Sequence, residues 1–300
     1  MSRTTVALAE QPPASPETAE APHRPGARIG RLAPYLVGVV LFCAYAALSI
    51  TRHLRLRSTG YDLGIFEQAV RAYAELRAPV AELKDPGYHL LGDHFHPLLA
   101  VLAPAYRIWP GPVTLLVTQA LLFALSAVPV TRLAIRFLGL WRGLALGVSY
   151  GLAWGVQAAV EFDFHEIALA MVPLAFCLER LVLGQWGRAV LFAAPLILVK
   201  EELTLTVAAV GGYLIIRGQR RLGVAVVAFG MVAFTVVFFV VIPSFNPVGE
   251  YAYLANANPA STNPILRLLT PWPVKSATLA TLLIPTLFLA LRSPIMVIAA

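Results

Sequence analysis

Charge is scarce in this sequence. Asp, Glu, Lys and Arg make up 13% of its 300 residues, where a soluble domain carries roughly 25%. Apolar residues make up 58%, which excludes an ordinary soluble domain. Cysteine is nearly absent. The two present, Cys43 and Cys177, lack metal-ligand spacing, so both are read as small core residues inside apolar spans. Catalytic signatures are missing as well. The chain has no Walker loop, no Gly-rich dinucleotide turn and no HExxH pair, nor a Ser nucleophile elbow. An enzyme built on this sequence would take a substrate activated elsewhere and delivered through the membrane.

What the sequence does have is a succession of apolar runs. A membrane-crossing helix needs about 20 apolar residues, and spans are expected near 34–51, 113–136, 143–160, 167–184, 188–199, 203–216, 222–243 and 276–291. A further run starts at Pro294 and reaches Ala300 before it could cross, so a longer protein is expected. The fold class is an all-α integral membrane protein, a polytopic helical bundle of about eight or nine spans. Residues 1–33 are rich in Pro, Ala, Glu and Thr and read as a disordered cytoplasmic tail ahead of a membrane domain over 34–300. Ala44-Tyr45-Ala46 resembles a signal-peptide cleavage site, but further spans follow, and an uncleaved first helix is preferred.

The net charge of +7 is read as a topology signal rather than as a nucleic-acid footprint. With a cytoplasmic N-terminus, Arg132, Arg136, Arg142, Arg180, Arg188, Arg217, Arg220, Arg221 and Arg292 fall on the inner side in short loops or at helix ends, as the positive-inside rule requires. The long loop 52–112 is then outside. The run 188–217 tests this topology. Two short helices meeting at Lys200-Glu201-Glu202 preserve it, and one long helix would invert everything after it. Most of the acids then share the outer face of a cell membrane.

Four clusters stand out there. In STGYDLGIFEQAV, residues 63–77 have helical spacing and predict an amphipathic interfacial helix. Asp62 can cap that helix and can also serve as a catalytic carboxylate, while Glu67, Arg71 and Glu75 are spaced to pair along its polar face. In GDHFHP, Asp93, His94 and His96 precede Pro97, which suits a first helical turn. Histidines that alternate in an extended segment share one face and could hold a phosphate or a metal. In EFDFHE, four ionisable groups fall within six residues. Extended geometry would turn Glu161, Asp163 and His165 one way and Phe162 and Phe164 the other, with Glu166 opening the next helix. Lys200, Glu201 and Glu202 form the fourth cluster. A later loop, 244–275, carries Asn246, Tyr251, Arg267 and Lys275. Ionisable groups at membrane depth are costly and usually line a cavity.

YDLGIFEQAV, GDHFHPLLAVLAPAYRIWP, EFDFHEIALAMVPLAF and LVKEELTLTVAAVGGYLIIRG, in this order, resemble a family of multi-pass membrane proteins catalogued as a domain of unknown function. That family is grouped by fold with the GT-C glycosyltransferases. The resemblance covers 34–300. It implies a GT-C-like architecture with interfacial helices in the long first outer loop, and transfer of a sugar from a polyprenyl-phosphate donor. In that scheme Asp62 and Asp163 are the catalytic carboxylates. His94, His96, Lys200 and Arg267 hold phosphate, and Asp93, Glu161, His165, Glu166, Glu201 and Glu202 hold the acceptor or an ion. A divalent cation, Mg or Mn, would draw its ligands from Asp62, His94, His96, Asp163 and His165. The expected partners are membrane lipids and the lipid-linked sugar. An ion- or proton-coupled transporter and a non-catalytic sensor or assembly subunit are the alternatives.

Overall fold

The computed structural model describes residues 25–58, 60–249, 251, 272–284 and 288–298. Arg267, and with it most of the 244–275 loop, lies outside the described residues. Helix dominates, and among the described residues the only β pairing is an isolated bridge between Val80 and His89. α1 runs Pro25–Leu54 and α2 Tyr61–Ala74; the short α3, Ala103–Ile108, follows a 3-10 turn at Pro97–Leu102. Then come α4 (Pro112–Leu138), α5 (Leu140–Gly151), α6 (Trp154–Glu161), α7 (Ala168–Val182), α8 (Trp186–Ala193), α9 (Leu203–Ile216) and α10 (Arg220–Val236). A π-helical turn, Val237–Val241, carries α10 into α11, Ile242–Phe245, and α12 covers Trp272–Leu283.

Among the described residues, three helices are long and apolar enough to cross a bilayer: Gly30–Leu54, Pro112–Leu138 and Arg220–Phe245. The pair Leu140–Gly151 and Trp154–Glu161, bent by 41°, makes a fourth if it is one broken span. Other expected spans fold as shorter helices. At about 1.5 Å per residue, the 15 residues of α7 and the 14 of α9 cover only part of a hydrocarbon core about 30 Å thick. Apolarity marks where a chain avoids water but does not set where its helices break. α1 begins at Pro25, ahead of the start expected at 34. The break expected within 188–217 is present: α8, extended by a 3-10 turn over Ala194–Leu198, and α9 flank Lys200, Glu201 and Glu202.

Cys177 is buried as expected, but Cys43 is exposed. It sits on the face of α1 that also shows Leu36, Val39, Val40 and Leu48. A small apolar residue suits lipid as well as a core, so composition alone could not choose between them. α10 and the π-helical turn after it likewise present Val224, Phe229, Val232, Val236, Phe239 and Val240 outward, a surface fit for acyl chains.

Inside, α1 packs on α4 through Val37, Leu41, Tyr45, Phe123 and Ala127. The second core joins α2, α3 and the start of α4 to α7, α8 and α9. Arg132 on α4 grips the buried Glu179 of α7 with two bonds, of 2.6 and 2.5 Å, and Arg180 lies 3.3 Å away. The α9–α10 hairpin depends on small residues. A Cβ at Gly211 would meet the backbone N of Val227 at 2.6 Å, and one at Gly230 the backbone N of Ala208 at 2.7 Å, so the two backbones touch. Gly211→Leu should therefore destabilise the fold by about 1–3 kcal/mol or more. Gly187, which has open space around it, should accept leucine without loss. Thermal unfolding midpoints of the two variants in detergent check this contrast.

Candidate functional site

The site is built from three connecting segments brought together by the second core: 93–96 before α3, 161–166 between α6 and α7, and 199–202 between α8 and α9. Phe66 of α2 packs edge-on against His96, Phe164 and His165, with ring centroids 5.9, 5.7 and 5.2 Å away. Phe164 is fully buried and anchors the 161–166 turn, leaving the polar side chains around it no choice but to pair.

Glu166 is fully buried. Its Oε1 lies 3.1 Å from Lys200 Nζ and its Oε2 2.5 Å from His165 Nδ1. Burial by itself would raise its pKa, but the contact with His165 and the charges of His165, Lys200 and His96 prevail and bring it down to about 2. Lys200 shows the reciprocal effect. Burial works against its charge, and Glu166 more than restores it, leaving its pKa raised.

A second buried carboxylate lies next in sequence to Lys200. Glu201 receives His94 Nδ1 at 2.6 Å, the backbone N–H of Phe95 at 2.9 Å and the hydroxyl of Tyr251 at 2.8 Å. Burial again opposes ionisation, and the His94 contact with the Phe95 amide outweighs it, so the pKa falls. His96 is buried without a hydrogen-bond partner on Nδ1, and burial pushes its pKa down to about 4. It is a neutral imidazole at physiological pH.

Asp163 is buried, and its Oδ2 accepts the backbone N–H of Gly60 at 3.2 Å, which ties it to the start of α2. Its segment is fastened from the other side by Gln119 of α4. The Gln119 side-chain amide donates to the carbonyl of Ala159 at 3.1 Å and accepts the His165 N–H at 3.0 Å. Glu161 closes α6, pairs with Arg52 at 2.7 Å and stays exposed. A cavity of about 260 Å³ opens beside it, lined by Arg52, Arg57, Ala158, Glu161, Phe162 and Asp163.

The expected alternation in EFDFHE does not hold. Phe162 is exposed, while Asp163 and Phe164 are both buried, because the chain turns out of α6 instead of running extended. The cap assignment for Asp62 is corrected too. Gly60, left-handed at φ 82°, is the N-cap, and Asp62 lies half-buried in the first turn, where a carboxylate suits the positive helix end. Asp62 is one helical turn from Phe66, on the same face. Arg71 pairs with Glu67 as expected, whereas Glu75 turns to Arg77. Asp93 pairs with Lys84, and exposed Glu202 lies 3.9 Å from Lys200.

The candidate metal ligands do not fit a cation. Among the described residues no three His, Cys, Asp or Glu side chains converge. His94 and His165 each face a carboxylate of their own, and His96 sits against Phe66. The side chains expected to hold Mg or Mn are thus engaged separately rather than gathered around one point.

Residues outside the expected set also matter. Gln119 was legible as a lone amide in an apolar run. Arg52 and Arg57 looked like the ordinary start of a long loop. Phe66 gave no chemical signal, and Tyr251 was one of several polar residues of the later loop. Gln119→Leu should cost about 1–3 kcal/mol, because it strands the His165 N–H and the Ala159 carbonyl. Hydrogen exchange of residues 159–166 would rise locally in that variant.

Lipid-facing helices around a buried, charge-balanced polar centre define an integral membrane protein of the helical class. The chain belongs to the family described as "Predicted membrane protein (DUF2079)", whose model matches residues 52–300 and so takes in the whole site. No curated protein and no solved structure matches it.

Proposed function

We propose that this protein is a GT-C-type glycosyltransferase, moving a sugar from a polyprenyl-phosphate donor to an acceptor hydroxyl at the outer face of the cell membrane. The observation that carries this reading is the cavity at Asp163, where a buried carboxylate and two arginines line one space at a helix end. Inverting transfer needs that pairing. The acceptor oxygen attacks the anomeric carbon, and Asp163 takes the hydroxyl proton. The bond from the anomeric carbon to the phosphate oxygen breaks, its electron pair stays on that oxygen, and positive charge stabilises the departing lipid phosphate.

The base role goes to Asp163 because it lines the cavity, and Asp62 is assigned to the helix start. Lys200 is neutralised by Glu166 and is better suited to fixing the 161–166 turn than to binding phosphate. The topology that goes with this reading has a cytoplasmic N-terminus, the arginine-rich short loops inside, and short helices such as α8 and α9 completing a bundle of about eight or nine segments.

The test is transfer from a radiolabelled polyprenyl-phosphate sugar to envelope glycans by the protein in lipid nanodiscs. Incorporation that depends on the protein supports the reading, and no transfer across a panel of lipid-linked hexoses and pentoses overturns it. One observation favours a second reading, a proton-coupled transporter: buried Glu166 and His96 and half-buried His165 and Lys200 form a contiguous titratable group. Proton flux in proteoliposomes without any transfer would select it.

A further inference from the structure

Arg57 is five residues beyond Arg52, yet both line one cavity. The ending of α1 explains how. The N–H of Leu56 bonds the carbonyl of His53 at 2.9 Å, and the N–H of Arg57 reaches back to the carbonyl of Arg52, also at 2.9 Å. This is the paired bonding of a Schellman cap, and it folds Arg57 over the last turn. The left-handed position in such a cap normally belongs to glycine. Here it is Leu56, at φ 56°, a conformation that is unfavourable for a residue with a side chain. Leu56 gains nothing from the protein interior, since it is 92% exposed. At the end of a membrane helix, a leucine held outward beside an arginine is placed to enter acyl chains while the guanidinium stays at headgroup depth.

The same device recurs at the end of α2. Leu76, at φ 58° and 87% exposed, is followed by Arg77, whose N–H returns to the carbonyl of Ala72 at 2.8 Å. Arg71 and Arg77 line a cavity of about 560 Å³. The two ends differ in charge. Arg77 is paired with Glu75, and Arg71 with Glu67. At the α1 end Arg52 is paired with Glu161, but Arg57 has no carboxylate partner among the described residues. Its cavity therefore holds one uncompensated guanidinium and one buried carboxylate, Asp163.

We infer that the cavity at Arg57 binds the phosphate of a lipid, with Arg57 on the phosphate, Leu56 in the acyl region and Asp163 facing a hydroxyl of the headgroup. A bare anion would be repelled by Asp163, whereas a phosphate carrying a hydroxylated group satisfies both ends. That the lipid is a polyprenyl phosphate rests on the transferase reading; the lipid-phosphate site does not.

The test is native mass spectrometry of the full chain titrated with a polyprenyl-phosphate hexose, phosphatidylglycerol or inorganic phosphate, comparing wild type with Arg57→Gln and Arg77→Gln. Wild type should retain the polyprenyl-phosphate hexose in preference to the other two. Losing one charged hydrogen-bonding partner should weaken retention about ten-fold or more in Arg57→Gln. Arg77→Gln, removing an already neutralised cation, should match wild type. Both variants alter exposed side chains, and an unchanged melting midpoint confirms folding. Equal retention by Arg57→Gln and wild type overturns the site, as does equal loss in the two variants. Arg57-dependent retention of phosphatidylglycerol as tight as that of the polyprenyl-phosphate hexose keeps the site and overturns its assignment to the donor. Arg57-dependent retention of the polyprenyl-phosphate hexose without any transfer keeps the site and removes the transferase reading.

Discussion

Asp163→Asn is expected to lower transfer by about 10²–10⁴-fold, the usual contribution of a positioned general base, with little change in the fold. The amide is isosteric, and its oxygen can still accept the Gly60 N–H that now binds Oδ2. What it cannot do is take a proton from an acceptor hydroxyl. Donor binding should persist, because Arg52 and Arg57 are untouched. Asp62→Asn, at the first turn of α2 and off the cavity lining, should keep most of the activity. Single-turnover transfer with preloaded donor measures both variants. Activity lost only in Asp62→Asn would return the base role to Asp62.

Glu166→Ala should be the most destabilising single change in the site, at about 3–5 kcal/mol, because removing one partner of a buried pair leaves the other uncompensated. Here the stranded groups would be Lys200 and His165. Lys200→Met should cost a comparable amount. The double variant Glu166→Gln with Lys200→Met should recover part of the loss, and that non-additivity identifies the pair. Chemical unfolding in mixed micelles reads all three.

The same pair fixes how stability depends on pH. Glu166 ionises near 4.5 when unfolded and near 2 when folded. Its contribution, about 3 kcal/mol at 1.36 kcal/mol per pK unit, is fully present above pH 4.5 and is lost as pH falls towards 2. His96 adds an earlier step. Its pKa falls from 6.5 to about 4 on burial, so the unfolded chain takes up the proton first and stability declines from about pH 6.5 downwards. His96→Phe should remove the upper step and leave the lower one.

Much of the site was legible in the order of residues. Glu161, Asp163, His165, Glu166, Lys200 and Glu201 stand out because a chain this apolar places so few charges, and those it keeps in its connecting segments need partners or water. Which pairs form was not legible. Spacing suggested that His94 and His96 act together, whereas His94 goes to Glu201 and His96 stands against Phe66. Spacing also suggested an extended EFDFHE, but the bend out of α6 buries Asp163 and Phe164 side by side. Tyr251 reaches Glu201 across fifty positions, a contact no local pattern records.

The sequence by itself determined that this is a helical membrane protein and that its chemistry is confined to a few polar segments. Apolar run length and charge scarcity are local properties, and the bilayer acts on them directly. Only the tertiary structure decided where the apolar helices break, which carboxylates are neutralised, and that Arg57 and Asp163 share a cavity. Those outcomes depend on where α1, α6 and the 199–202 turn meet, and such meetings are set by packing between residues far apart in the chain.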